Sequence, residues 1–183
     1  MIYLWNPSDN ILNKEIGEYD TDCSPDRFLL KAGRKLEPEE FSAVPVVNFE
    51  IPKARALKFD CLDNNAMVPL INERVQDILE EIAPNEVQFF PARIICVDGE
   101  LEGYSFLNVT VEIEGIDKEK TVYDRSGYGF HYLTYKKGCM GAHPLARDKE
   151  YHSNLLVSEK LKIIFDKEKI KGVWLVRPEE YYP

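Results

Sequence analysis

No two cysteines lie close together in this chain of 183 residues: Cys23, Cys61, Cys96 and Cys139 are scattered along it. In the absence of an export signal, four reduced thiols are expected in place of a disulfide framework. No run approaches the roughly 20 apolar residues that a membrane-spanning helix needs. The opening stretch, Met1 to Pro7, has neither the basic start nor the apolar length of a signal peptide. A soluble, cytoplasmic protein without a membrane partner is the expectation. Positive charge is in deficit too, with 23 Lys and Arg against 32 Asp and Glu for a net charge of −9. Phosphate neutralisation needs clustered Lys and Arg, so this balance argues against a general nucleic-acid binder. It is compatible with a basic protein partner reached by electrostatic steering, although solubility alone explains many acidic chains.

What is present is globular. Hydrophobic residues make up 44% of the chain, with two Trp, ten Tyr and nine Phe, enough for one domain with a substantial core. The firmest local pattern lies between Leu70 and Glu119. Val75, Ile78, Leu79 and Ile82 recur at helical spacing, which predicts a helix over Asn72 to Ala83. Asn72 is placed to cap it, Glu73 suits its positive end, and Pro84 denies continuation. Two extended runs follow, Glu86 to Val97 and Leu101 to Glu114, divided by the hairpin signal Asp98-Gly99. Pro91 cannot donate to a sheet ladder, so its strand is bulged or at an edge. Alternation slips between Phe106 and Val109, which suggests a bulge near Asn108.

Elsewhere, residues 2–5 read as a short strand and 8–26 as an acidic loop with room for one short turn of helix. Phe28-Leu29-Leu30 is a brief apolar run, and Glu37 to Phe41 resembles a helix start. Val46 to Phe49 and Ala56 to Phe59 suit strands bordered by turns, with Asp63-Asn64-Asn65 as a turn signal. Tyr128, Phe130 and Tyr132 alternate as a strand, whereas 138–151 reads as loop. Leu155 to Val157 then leads into Ser158 as N-cap, a helix with Leu161, Ile164 and Phe165 on one face, and a strand at Val173 to Val176. This second phrase echoes Leu70 to Pro91. The expected fold is α+β, one domain over 1–183, with a mostly antiparallel, twisted sheet and two main helices packed on it.

Candidates for chemistry are few. Cys139 and His143 could sit on one loop as zinc ligands, with His131 or His152 as a third. No second close ligand pair supports that reading, and a thiol nucleophile would further need a base oriented by a third group. Gly127-Tyr128-Gly129-Phe130 lacks the Lys-Ser/Thr of a phosphate loop. Glu100 and Glu102 share a strand face, as do Glu112 and Glu114; solvation explains both, and recognition of a basic surface is the functional alternative. Lys136, Lys137, Arg147 and Lys149 form a modest basic patch beside Tyr132 and Tyr135, small for nucleic acid in so acidic a chain.

The order of phrases carries more than any single site. Leu70-Ile71-Asn72-Glu73-Arg74-Val75 runs through Glu86-Val87-Gln88-Phe89-Phe90-Pro91 to Tyr104-Ser105-Phe106-Leu107-Asn108-Val109. Then come Ile116-Asp117-Lys118-Glu119-Lys120-Thr121-Val122-Tyr123, Leu156-Val157-Ser158-Glu159-Lys160-Leu161 and Gly172-Val173-Trp174-Leu175-Val176. This series resembles a bacterial family of immunity proteins from polymorphic toxin systems, over roughly 44–183 and best in 70–123 and 155–178. The resemblance implies a small protein that binds and neutralises a cognate toxin, with no catalysis, no cofactor and no metal. It carries no site residues with it. Contacts are expected from the residues themselves, at Asp98, Glu100 and Glu102 on the hairpin tip and at Tyr128 and Tyr132 on the glycine-rich segment. The alternatives are a zinc or thiol hydrolase using Cys139 and His143, and a general protein-binding scaffold.

Overall fold

The computed structural model describes residues 1–8, 11–127 and 129–181. Its first strands are β1 (Ile2–Asn6), β2 (Glu18–Tyr19), β3 (Val46–Asn48), β4 (Cys61–Leu62) and β5 (Leu70–Asn72). There follow β6 (Val87–Pro91), β7 (Arg93–Cys96), β8 (Gly99–Leu101), β9 (Tyr104–Val109) and β10 (Glu112–Ile113). The last are β11 (Val122–Tyr123), β12 (Phe130–Tyr132), β13 (Leu145–Asp148), β14 (Leu155–Ser158) and β15 (Trp174–Val176). Helices are α1 (Lys53–Ala56), α2 (Glu73–Ile82), α3 (Glu159–Glu168) and α4 (Pro178–Tyr181). The architecture is α+β and mostly antiparallel, as expected, but spread over four sheets. Their strand orders are β10-β13-β14-β1-β15, β4-β5-β9-β6, β2-β3-β7-β8 and the ribbon β11-β12.

The two main helices form where the caps predict. The Asn72 side chain accepts a hydrogen bond from the Val75 amide at 3.1 Å, and Ser158 Oγ accepts one from the Leu161 amide at 3.3 Å. Each helix crosses between two strands that flank a third, antiparallel strand. In the first unit β5 and β6 pair on either side of β9, and in the second β14 and β15 pair on either side of β1. The sequence echo is therefore a repeated strand–helix–strand unit. Val75 and Leu79 of α2 and Leu161 and Phe165 of α3 share one core with Ile71, Leu107, Leu145 and Val157. A second core, around Val47, Leu70, Ile94 and Phe106, fills the other side of β9.

That double coverage explains the slip near Asn108. There is no bulge: β6 and β9 pair in one continuous register from Val87↔Val109 to Pro91↔Ser105. All six β9 residues are buried, so neither face shows polar alternation. Asn108 is inside because its amide donates to the Arg34 carbonyl and to Gln88 Oε1, both at 2.9 Å. Pro91 ends β6, the edge strand of its sheet, in line with its missing donor. The extended run does not continue past it. Ala92 intervenes, and β7 joins a different sheet, parallel to β3.

Three other local readings change, and one apolar run gains a defined form. Ala56 to Phe59 is not a strand: α1 ends there, its first amide (Lys53) held at 2.8 Å by the Asp98 carboxylate from far along the chain. Glu37 to Phe41 is a turn closed from the Glu40 amide to the Glu37 carbonyl at 3.0 Å, with Glu40 paired to Arg34. Phe28 to Leu30 belongs to a 3-10 helix, Arg27–Lys31, capped by Asp26. Finally, 138–151 is not all loop. It contains β13, all four residues of which are buried between β10 and β14.

Candidate functional site

The hairpin tip is real but its charges are largely engaged. Cys96 pairs with Gly99, so Val97-Asp98 forms the turn and Gly99 opens β8 at φ +120, a backbone region closed to most side chains. Asp98 accepts the Lys53 amide hydrogen bond that starts α1. Glu100 takes both nitrogens of Arg93 at 2.9 Å, a bidentate pair that holds its carboxyl below the usual carboxylate range. Glu102 is exposed in the short link from β8 to β9. The tip thus presents one unengaged carboxylate among its three acids.

Tyr132 lies on the β11-β12 ribbon, in a different sheet from the tip. Tyr128 lies outside the described residues. Tyr132 is 40% exposed and stands on the wall of a groove of about 750 Å³. Four segments build this groove: Tyr132 to Gly141, the first turn of α3 (Ser158 to Lys160), the β15–α4 junction (Arg177 to Glu179), and Met1 with Ile2. The first segment is fastened from behind. The Lys136 amide donates to the Gly115 carbonyl at 2.8 Å, Tyr135 donates to Asp148 Oδ2 at 2.6 Å, and Leu133 is fully buried. Lys136, Lys137 and Lys160 are exposed on the rim and form no ion pair among the described residues. The groove's acids are engaged: Glu159 faces the terminal amine at 3.0 Å and Glu179 accepts from Thr134 Oγ1 at 2.9 Å. Arg177 pairs with Glu180.

The basic patch read from the sequence is thereby recomposed. Arg147 is only 1% exposed and leaves it, while Lys160 and Arg177 join Lys136 and Lys137. Burial lowers the Arg147 guanidinium to about 10. Its Nη atoms donate to the Leu30 and His152 carbonyls at 3.3 and 3.4 Å. Nothing in the local sequence announces Lys160 as a neighbour of Lys136. The Ser158 cap places it on the first turn of α3, and only the chain crossing brings the two together.

The proposed hydrolase residues diverge. Cys139 packs against Gly115, where a Cβ would come within 2.7 Å of its sulfur, and burial pushes its thiol up, away from thiolate chemistry. His143 Nδ1 lies 2.8 Å from Glu86, in the turn before β6, and His152 Nε2 lies 2.8 Å from Glu112 on β10. His131 is on β12. No group of three or more His, Cys, Asp or Glu side chains suited to a metal ion occurs among the described residues. No described helix is long and apolar enough to cross a membrane.

Comparison with known proteins agrees with the resemblance and extends it. A family model described as Immunity protein family (Imm11) matches residues 2–178. The match therefore includes residues 2–43, outside the resemblance, consistent with β1 lying at the centre of the second unit. No curated protein matches the chain.

Proposed function

The chain belongs to the Imm11 immunity protein family, and from that premise we propose that it neutralises a cognate bacterial toxin by stoichiometric binding in the cytoplasm, without catalysis. The observation that carries this reading is the family match over nearly the whole chain. The divergence of Cys139, His143 and His152 onto separate partners supports it against the hydrolase alternative. Inhibition by binding needs a shaped surface with anchor residues and a charged rim. The Tyr132 groove offers that combination, and the hairpin tip offers a second, smaller contact.

The direct test is co-expression of the chain with the toxin encoded beside it, read as cell survival and as a complex in pull-down. Survival with no detectable complex would defeat stoichiometric inhibition. At the tip, Glu102 carries the contact, because Asp98 and Glu100 are occupied within the chain. Exposed rim charges tune encounter more than affinity. Glu102→Lys is therefore expected to weaken toxin binding only about twofold to threefold, mainly through a slower on-rate. An unchanged affinity and on-rate would remove the tip from the interface.

A further inference from the structure

We propose that the groove walled by Tyr132, Lys136, Lys137 and Lys160 receives an acidic segment of the toxin, with Asp or Glu side chains flanking an apolar or aromatic anchor. This rests on the toxin-binding reading above. Three observations lead to it. The first is which charges remain unengaged. Glu159, Glu179 and Arg177 are satisfied by neighbours in the same chain, while the three lysines form no ion pair among the described residues. By formal charge the three unpaired lysines outweigh Glu179, the one lining carboxylate without a cationic partner among the described residues, although the chain carries −9 overall.

The second observation is preorganisation. Lysines on a loose loop would lose much of their attraction to ordering costs on binding. Here Lys136 and Lys137 follow Tyr135, which is bridged to Ile116 and hydrogen-bonded to the buried Asp148, and Lys160 lies in the first turn of a capped helix. Less ordering remains to be done on association. The third is the groove's mixed lining: Met140 and Pro178 are buried beneath it and Tyr135 is half-buried, so an apolar side chain can be seated between the charged rims.

An acidic protein segment fits this site better than nucleic acid. Screening confines attraction to within about 8–10 Å at moderate ionic strength, so a short acidic segment senses chiefly the three lysines. A polyphosphate chain extends past the groove and meets the remaining net-negative surface. The tyrosines could stack bases, which makes nucleic acid an outcome to be tested.

The experiment compares three purified forms of the full chain. They are the wild type, a groove variant (Lys136→Glu, Lys137→Glu, Lys160→Glu) and a charge-matched control with exposed lysines changed elsewhere (Lys35→Glu, Lys58→Glu, Lys167→Glu). Circular dichroism and thermal melting first establish that all are folded. Each is titrated with a short fluorescein-labelled peptide of Glu and Tyr, with a labelled single-stranded oligonucleotide, and with the cognate toxin. The expected result is peptide binding that weakens with salt and falls about tenfold or more in the groove variant but less than about threefold in the control. Toxin affinity follows the same order. Equal losses in groove variant and control would overturn the proposal in favour of a whole-chain charge effect. Tighter binding of the oligonucleotide than of the peptide would overturn it in favour of nucleic acid. Toxin bound equally by wild type and groove variant would overturn the groove while leaving the immunity reading standing. Toxin not bound by the wild type would overturn that reading, and the groove's toxin role with it.

Discussion

At the N-terminal end of α2 stand Asn72, Glu73 and Asp60; at the same end of α3 stand Ser158, Glu159 and Lys160. The local design is one design, yet the surroundings differ. Around α2 the chain closes on itself. Asn72 Nδ2 donates to Asp60 Oδ1 at 3.1 Å, the other Asp60 oxygen accepts the Lys171 amide at 2.8 Å, and Arg74 reaches Glu168 at the far end of α3 at 3.0 Å. Around α3 the corresponding end opens onto a groove whose lysines are unengaged. A capped helix end surrounded by partners from its own chain becomes a joint. The same element, held by Met1 and Pro144 and flanked by unpaired lysines, becomes a surface.

The joint can be broken most severely at Gly172, between α3 and β15. Its φ is +87, and a Cβ there would lie 1.9 Å from the Cys61 carbonyl oxygen, which is backbone and cannot swing aside. Gly172→Ala is expected to cost about 3 kcal/mol or more in chemical denaturation, with both units destabilised together. A loss below about 1 kcal/mol would show that the two units are less tightly joined than their contacts indicate. Next come the caps. Ser158→Ala removes one cap bond and is expected to cost about 1 kcal/mol. Asn72→Ala removes a cap and the Asp60 contact, so it is expected to cost about twice as much. Equal losses, measured the same way, would deny the joint any contribution beyond capping.

The smallest effect concerns pH. Burial raises the Asp63 carboxyl to about 6, with the Ser8 amide at 3.2 Å opposing the shift. An unfolded Asp titrates near 4. Between about 4 and 6 the unfolded chain has released this proton while the folded chain retains it, so rising pH favours unfolding. This group's contribution is fully present below about pH 4 and lost as pH passes 6. The carboxyl is partly solvent-screened, so the effect is expected to stay near 1 kcal/mol. Melting temperature as a function of pH should decline more across this window for the wild type than for Asp63→Asn. Parallel curves would contradict the burial.

What could be read from the chain was what neighbours within a turn determine. Both long helices, both caps, the strand after each and the restriction of Pro91 to a bulge or an edge follow from spacing and from the backbone donor that proline lacks. The errors share one cause. Ala56 to Phe59 has strand-like residues, but Asp98 fixes the start of α1 from 45 positions away. Arg147 and Asp148 read as loop because charged residues are seldom buried. Partners distant in sequence hold them there: the Leu30 carbonyl takes one Arg147 nitrogen, although its buried Nε has no partner among the described residues, and the Tyr135 hydroxyl donates to Asp148. Asn108 disturbed the alternation for the same reason, being held by Arg34 and Gln88.

The candidate site divides along the same line. Sequence alone determined an acidic chain, two capped strand–helix–strand phrases and the series of phrases that resembles immunity proteins, because each depends on residue order and short-range geometry. Only the tertiary structure decided which charges remain available. Glu100 lost its freedom to Arg93, Arg147 went inside, and Lys160 came to face Lys136 across the groove. Whether a charge is engaged depends on what stands within a few ångströms of it, and chain crossings bring that neighbour from anywhere in the sequence.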